Sequence, residues 1–347
     1  NLAGSNGRGS MVLLCGEDHR SKSSVSPGTS DWALRSSLVP IFYPASVAEI
    51  IELGMHAVHL SRWLGVVTAM KLVTPVCDGG STIDLARTRV MPQRPAQYNK
   101  RFHPIVMALG ALPMQQELVE TKVPLIEAYI RDNHLNRVHW SDASGPVGIV
   151  TSGKSFVDVD QALQLLGTRV PTLHLRVSWP LDAEGIRRFA TEQGLETVIV
   201  VEEPGPFVEE GVKAALLGVE GVRAVYGERD ATGATLIPSF GEVDPEVLAQ
   251  RLAPYLRTGA IAAVALTRFE QIASRRFRPV PAVSPMSCGG CPYNVFRDLK
   301  GEKPGGAIGC SSIRAIGAYD DGVRYIPTMG AGGSIYSGTA LVNGNQH

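Results

Sequence analysis

The chain has 347 residues, a length that suits two or three domains. With 44% hydrophobic and 19% charged residues and a formal net charge of +0, it has an ordinary folded-protein composition and little to attract a polyanion, which disfavours nucleic-acid binding. No apolar run nears the roughly 18–20 residues of a membrane-spanning helix, and the start of the chain lacks the basic-then-apolar pattern of a secretion signal.

The first segment reads as part of an α/β layer. Residues 11–14 form a short apolar strand, and a polar loop runs from Glu17 to Ser30. Residues 38–43 are a second apolar run in which Pro40 implies an edge or an interruption. Ser46, with Glu49 three residues on, has the spacing of a capping box and predicts a helix ending near Gly65. A strand over 66–68 would complete a βαβ unit. From about 84 to 144 the pattern is less regular. Pro92, Pro95, Pro104, Pro113 and Pro124 should break any long element, with a helix over 126–135.

A clear rhythm begins at Val147. Strands are predicted over 147–152, 172–177, 197–201 and 222–226. Helices fall between them, over 157–166, from Asp182 to Gly194, and over 207–217. Such alternation predicts a doubly wound parallel sheet with helices on both faces. An amphipathic helix should follow over 245–256 and an apolar segment over 260–266. Residues 275–281 read as an exposed linker. The Gly-rich stretch after it, about sixty residues, makes a poor core on its own.

Gly148-Ile-Val-Thr-Ser-Gly153-Lys154-Ser155 formally satisfies the phosphate-loop pattern GxxxxGK[ST]. In a true phosphate loop a strand precedes the first Gly and the residues between the glycines curl around phosphate. Here those residues are β-branched and apolar, so the segment is itself a strand leading through a turn into a helix. A nucleotide triphosphatase is disfavoured.

Stronger chemistry lies in Cys288-Gly-Gly-Cys291-Pro292, followed by Gly309-Cys310-Ser311-Ser312 and by Met329-Gly330. Three thiolates among Gly-rich turns suit an iron–sulfur cluster or zinc, while free thiols or a redox CxxC pair remain open on spacing alone. The other two cysteines, Cys15 and Cys77, read as buried free thiols, and so few cysteines point to a reducing cytoplasm. A polar loop, Glu17-Asp18-His19-Arg20-Ser21-Lys22-Ser23-Ser24, follows the first strand, where α/β sheets bind ligands. Glu202 and Glu203 also follow a strand. With Pro204-Gly-Pro206 after them, they suggest anchoring of a helix terminus.

Taken together these motifs resemble the indolepyruvate:ferredoxin oxidoreductase family, within the thiamine-diphosphate-dependent 2-oxoacid:ferredoxin oxidoreductases. The resemblance is carried by residues 16–24, by 148–155 and by Trp179-Pro-Leu-Asp182, Val200-Val-Glu-Glu203 and Gly227-Glu-Arg-Asp230. It continues through Cys288-x-x-Cys291-Pro, Ile308-Gly-Cys310 and Thr328-Met-Gly330. It implies a transketolase-like multi-domain α/β architecture of doubly wound parallel sheets, truncated at both ends. Residues 1–85 would be the latter part of a pyrimidine-binding domain, 86–144 a linker or crossover, 145–270 a transketolase-C-like second domain and 283–347 the start of a diphosphate-binding domain.

By the same resemblance Cys288, Cys291 and Cys310 would hold a four-iron–four-sulfur cluster. Gly309, Ser311, Ser312, Met329 and Gly330 would lie against thiamine diphosphate, and His19, Ser23 and Ser24 on the substrate side. The activating Glu, the Gly-Asp-x motif that binds Mg2+ and the fourth cluster ligand are expected outside the given sequence, so the chain is expected to be an internal fragment, inactive alone. The implied reaction oxidatively decarboxylates a 2-oxoacid, an aryl pyruvate by branch resemblance, to an acyl-CoA and passes electrons to ferredoxin. A dimer or larger assembly in the cytoplasm is the implied setting. The rival readings are a structural zinc module and the disfavoured triphosphatase.

Overall fold

The computed structural model describes residues 1–256 except positions 7, 23, 25 and 144, and beyond them only positions 271, 309, 334, 335, 337, 338 and 341. Asn1–Arg275 form one compact unit and Arg276–His347 another. The architecture below belongs to the first.

In chain order the unit begins with strand β1 (Met11–Glu17), helix α1 (Asp31–Ser36), strand β2 (Ile41–Phe42), helix α2 (Val47–Leu64) and strand β3 (Val67–Val73). Short helices α3 (Thr74–Cys77) and α4 (Leu85–Thr88) lead to α5 (Ala111–Glu117), a π turn (Leu118–Lys122) and α6 (Val123–Asp132). Next come β4 (Arg137–His139), β5 (Val147–Ser152), α7 (Ser155–Leu166), β6 (Thr172–Leu175) and β7 (Val177–Trp179). The described run closes with α8 (Ala183–Glu192), β8 (Thr197–Val201), α9 (Phe207–Leu216), β9 (Ala224–Tyr226) and α10 (Pro245–Leu252).

Two sheets result. The first has the order β1-β3-β2-β7, the second β4-β6-β5-β8-β9. In the second, β6, β5, β8 and β9 run parallel and β4 adds an antiparallel edge. Its central strands β5, β6 and β8 are buried on both faces. Ile149 and Ile199 pack with α7 and α10, whereas Val150, Val198 and Val200 pack with α8 and α9. Continuous apolar runs in the sequence follow from this two-sided burial. The described unit is therefore an α/β body of mostly parallel sheets, with helices wound on both sides of the second as the sequence predicts and an antiparallel strand added to each.

Three sequence expectations change in detail. Pro40 interrupts its run but marks no edge, because β2 lies between β3 and β7. Prolines do not break 111–132. Pro113 falls in the first turn of α5, and the π turn lies directly ahead of Pro124, whose ring has no N–H to give the preceding turn. The run over 172–177 is not one strand. It divides at Arg176, so that β6 joins the second sheet and β7 pairs antiparallel with β2 in the first.

Arg176 explains the division. Its side chain is fully buried, with Nη1 and Nη2 on Glu52 at 3.0 and 2.6 Å and Nε 3.0 Å from Glu49. Glu49 also accepts the N–H of Ala45 at 2.7 Å, while Ser46 Oγ accepts the N–H of Glu49 at 3.4 Å, which starts α2. The capping box is thus half realised, its acid shared with a buried guanidinium. Gly65, at φ 68°, ends α2 as expected.

Candidate functional site

Ligands of parallel sheets sit where neighbouring strands diverge at their carboxyl ends. In the second sheet that place lies past β5 and β8, which deliver Gly153-Lys154 and Glu202-Glu203. There Lys154 Nζ lies 2.9 Å from Asp158 and 3.4 Å from Glu203, and donates to the carbonyl of Val243 at 3.3 Å. Its ammonium is spent on protein carboxylates, and the residues of the phosphate-loop pattern from Gly148 to Ser152 are strand. This geometry speaks further against the triphosphatase reading that the sequence already disfavours.

Glu202 and Glu203 point opposite ways, as successive residues at a strand end must. Glu202 accepts the N–H groups of Val208 and Glu209 at 2.7 and 2.8 Å, anchoring the start of α9 as the sequence suggests. Glu203 does something else. It accepts the N–H of Val243 at 2.7 Å and turns its other oxygen toward the first sheet.

The carboxyl end of β1 meets it there. Glu17 is held by Ser30, whose N–H and Oγ donate at 2.8 and 2.5 Å, by His19 Nε2 at 2.9 Å and by Lys71 Nζ at 3.2 Å. Lys71, projecting from β3, also reaches Asp31 at 2.5 Å and the Glu203 carbonyl at 3.3 Å. Its ammonium lies 4.7 Å from the centre of the Tyr43 ring, a cation–π contact. That ring packs against Gly153, where φ is 49° and a Cβ would strike it. Five carboxylates, two lysines, a histidine and a tyrosine thus form a buried seam between the sheets.

Pairing sets the ionisation of this seam. Burial alone would raise Glu17, but His19, Lys71 and Ser30 outweigh it and hold the carboxyl down to about 2. Burial would depress His19, yet Glu17 and Glu203 raise it. Burial lifts Asp158 to about 7, with Glu203 adding to it and Lys154 opposing, and lifts Glu202 to about 8 against its two backbone donors.

Beside the seam opens a cleft of about 520 Å³ lined by Glu17, Asp18, Ser24, Thr29, Ser30, Thr74 and neighbours. Asp18 shapes its rim by accepting the N–H groups of Lys22 and Ser24 at 3.0 and 2.9 Å. Arg20 and Lys22 then tie the rim to Asp244 and Glu242 across the seam. Among the described residues the lining offers hydroxyls and carboxylates but no Lys or Arg side chain. It suits hydrogen-bonding oxygen groups and gives a diphosphate no counter-charge.

Of the residues expected on the substrate side, Ser24 lines this cleft, His19 is buried behind it and Ser23 lies outside the described residues. Cys288, Cys291, Cys310, Ser311, Ser312, Met329 and Gly330 are also outside them, as are the apolar segment 260–266 and the linker 275–281. Gly309 is an exposed bend with φ 133°. Cys15 and Cys77 are free thiols as expected, but not buried. Cys15 is half-exposed on the outer strand of its sheet, and Cys77 ends a four-residue helix with its surface open to solvent. Sequence reading missed Asp31 and Lys71 altogether. An isolated Lys amid apolar residues 66–73 was the one signal available.

The fold and seam define a parallel α/β protein whose two sheets present their strand ends to one another around buried charge. Residues 137–276 match the indolepyruvate oxidoreductase domain. Curated relatives named indolepyruvate oxidoreductase subunit IorA include one from Methanothermobacter marburgensis, 28% identical over 291 residues, covering 83% of this chain and 44% of the relative. Another, from Archaeoglobus fulgidus, is 26% identical over 357 residues, covering 98% of this chain and 53% of the relative. The chain is thus similar to indolepyruvate oxidoreductases over its described part, and it spans about half the length of the curated relatives it matches. Among solved structures, a 2-oxoglutarate:ferredoxin oxidoreductase from Magnetococcus marinus aligns with 70% of this chain and 48% of its own at 13% identity and a TM-score of 0.45, a likeness on which nothing further rests. No helix among the described residues is long and apolar enough to cross a membrane.

Proposed function

We propose that this chain is part of a cytoplasmic 2-oxoacid:ferredoxin oxidoreductase that converts an aryl pyruvate such as indolepyruvate, with coenzyme A, to an acyl-CoA. The observation that carries the reading is the indolepyruvate oxidoreductase domain at 137–276, because that segment supplies Lys154 and Glu203 to the seam behind the cleft. In this reading Ser24, Thr29 and Thr74 hydrogen-bond the oxygens of the substrate, and Ser23 is carried with them by its neighbourhood. Glu17, fixed and ionised, keeps the cleft floor rigid. The relatives are named as a subunit, so a partner subunit and a dimer or larger assembly belong to the proposal.

Thiamine diphosphate, when bound, supplies the carbanion chemistry that decarboxylation of a 2-oxoacid requires. The described cleft does not fit its diphosphate, since Lys71 and Lys154 are committed to Glu17, Asp31, Asp158 and Glu203, and Lys22 on the rim to Glu242. The cofactor's seat, with Mg2+, is proposed on the segment holding Gly309, Ser311, Ser312, Met329 and Gly330, and a four-iron–four-sulfur cluster on Cys288, Cys291 and Cys310.

The test is anaerobic assay of the complete gene product with its partner subunit. Ferredoxin reduction dependent on both indolepyruvate and coenzyme A is expected. Reduction with small 2-oxoacids alone would remove the aryl assignment, and none with any 2-oxoacid would sink the reading. Metal analysis of the same preparation separates iron and sulfide from the structural zinc alternative.

A further inference from the structure

His19 stands between two carboxylates that belong to different sheets. Its Nε2 meets Glu17 Oε2 at 2.9 Å, and its Nδ1 faces Glu203 Oε1 at 3.7 Å. All three side chains are shut off from solvent. His19 Nδ1 makes no hydrogen bond elsewhere, and Glu203 Oε1 makes none, although Lys154 lies 3.4 Å from it.

A neutral imidazole carries one N–H and one lone pair. With the proton on Nε2, the Nδ1 lone pair would confront the buried carboxylate of Glu203. With the proton on Nδ1, the Nε2 lone pair would confront Glu17 at hydrogen-bonding distance. Only the imidazolium gives each carboxylate a donor.

The surrounding charges agree. Lys71 from β3 opposes a positive ring, but it is matched by Asp31 from α1. Lys154 and Asp158, at the start of α7, pair with one another as well as with Glu203. Tyr43 after β2 stacks on Lys71 with its hydroxyl unpartnered. Against Glu17, Asp31 and Glu203, two lysines leave one negative charge that a cationic His19 balances, and an ionised Asp158 only adds to that demand.

We propose that His19 is a proton-operated latch: as an imidazolium it ties the cleft loop 18–30 to the second sheet, and its deprotonation on the alkaline side lets that loop go. Among the described residues, the rim is also tied by Arg20 and Lys22 to Glu242 and Asp244, through bases that are 38% and 48% exposed, and such pairs hold little on their own. The raised pKa of His19, with burial opposing and Glu17 and Glu203 prevailing, accords with this. The sign follows. A His whose folded pKa exceeds its unfolded value stabilises fully below the unfolded pKa and stops doing so as pH rises through the folded one. The latch does not depend on the proposed reaction.

The test is ring-nitrogen NMR of the His-labelled full chain, paired with a pH series of hydrogen exchange at 18–30 corrected for intrinsic rates. His19 is expected to keep both N–H groups at pH 7.5, where free histidine, with a pKa of about 6.5, is mostly neutral. Loop protection should fall by up to about tenfold per pH unit between the ordinary histidine pKa of about 6.5 and the His19 midpoint, and level off above that midpoint. Glu203→Gln should move both midpoints down together, and an Arg20→Gln/Lys22→Gln double variant should move neither. A neutral His19 at pH 7.5 in the wild-type chain, or loop exchange that ignores its titration, would overturn the latch without touching the oxidoreductase reading. Should Glu203→Gln fail to fold, the two wild-type measurements still decide.

Discussion

A guanidinium survives in the core at position 176 because the oxygens of Glu49 and Glu52 surround it and leave none of its surface to water. Removing one partner of a buried ionic group costs about 3–5 kcal/mol, since the charges left behind have no solvent. Arg176→Met should lose that much in urea unfolding, and Lys, unable to span both acids in one plane, should not restore it. A loss within about 0.5 kcal/mol, typical of a surface site, would contradict the role. Gly153 is a second fixed point. Its left-handed backbone and the Tyr43 ring above it leave no room for Cβ, so Gly153→Ala should cost about 1–3 kcal/mol by the same measurement. At this scale the sequence was legible where chemistry is local. Glu17, Asp18 and His19 could be singled out because they share a loop after a strand. Lys71 and Asp31 could not, because they are 40 positions apart and nothing in either neighbourhood announces the other.

Most strands and helices were visible as period and punctuation. Ser46, Gly65, Gly167 and Asp182 mark helix ends in the sequence and do so in the fold. Asp182 accepts the N–H of Gly185 at 3.1 Å and also pairs with Arg131 at 3.0 Å, joining the start of α8 to α6. Asp182→Ala should therefore cost about 0.5–2 kcal/mol for the cap. Arg131→Ala should cost less, because that side chain is partly exposed; the reverse ranking in thermal melts would argue against the cap. The division of 172–179 into strands of two sheets escaped sequence reading, since an unbroken apolar run looks the same in one sheet or two. The uninterrupted passage through Pro113 and Pro124 escaped it too, because the π turn that accommodates it leaves no compositional trace.

For the whole molecule, the seam predicts a one-sided response to pH. Glu17, held to about 2 by His19, Lys71 and Ser30, stabilises above the ordinary carboxyl range and stops doing so as pH falls toward 2. Asp158 and Glu202, lifted by burial to about 7 and 8, act in the opposite sense and cost stability as pH climbs from about 4 to 8. His19 loses its contribution as pH rises from the ordinary histidine value of about 6.5 through its raised one. Melting temperature should peak near pH 5, with Asp158→Asn flattening the descent toward pH 8. A maximum at or above pH 8 would mean the seam is not charged as described. The segment from Thr172 to Trp179 carries a further consequence. It works as a stitch, one thread sewn through both sheets, so the amino-terminal layer depends on residues supplied more than a hundred positions later for one of its borders. Shuffling either half into another protein, or nicking the chain between them and separating the pieces, would leave the first layer hemless.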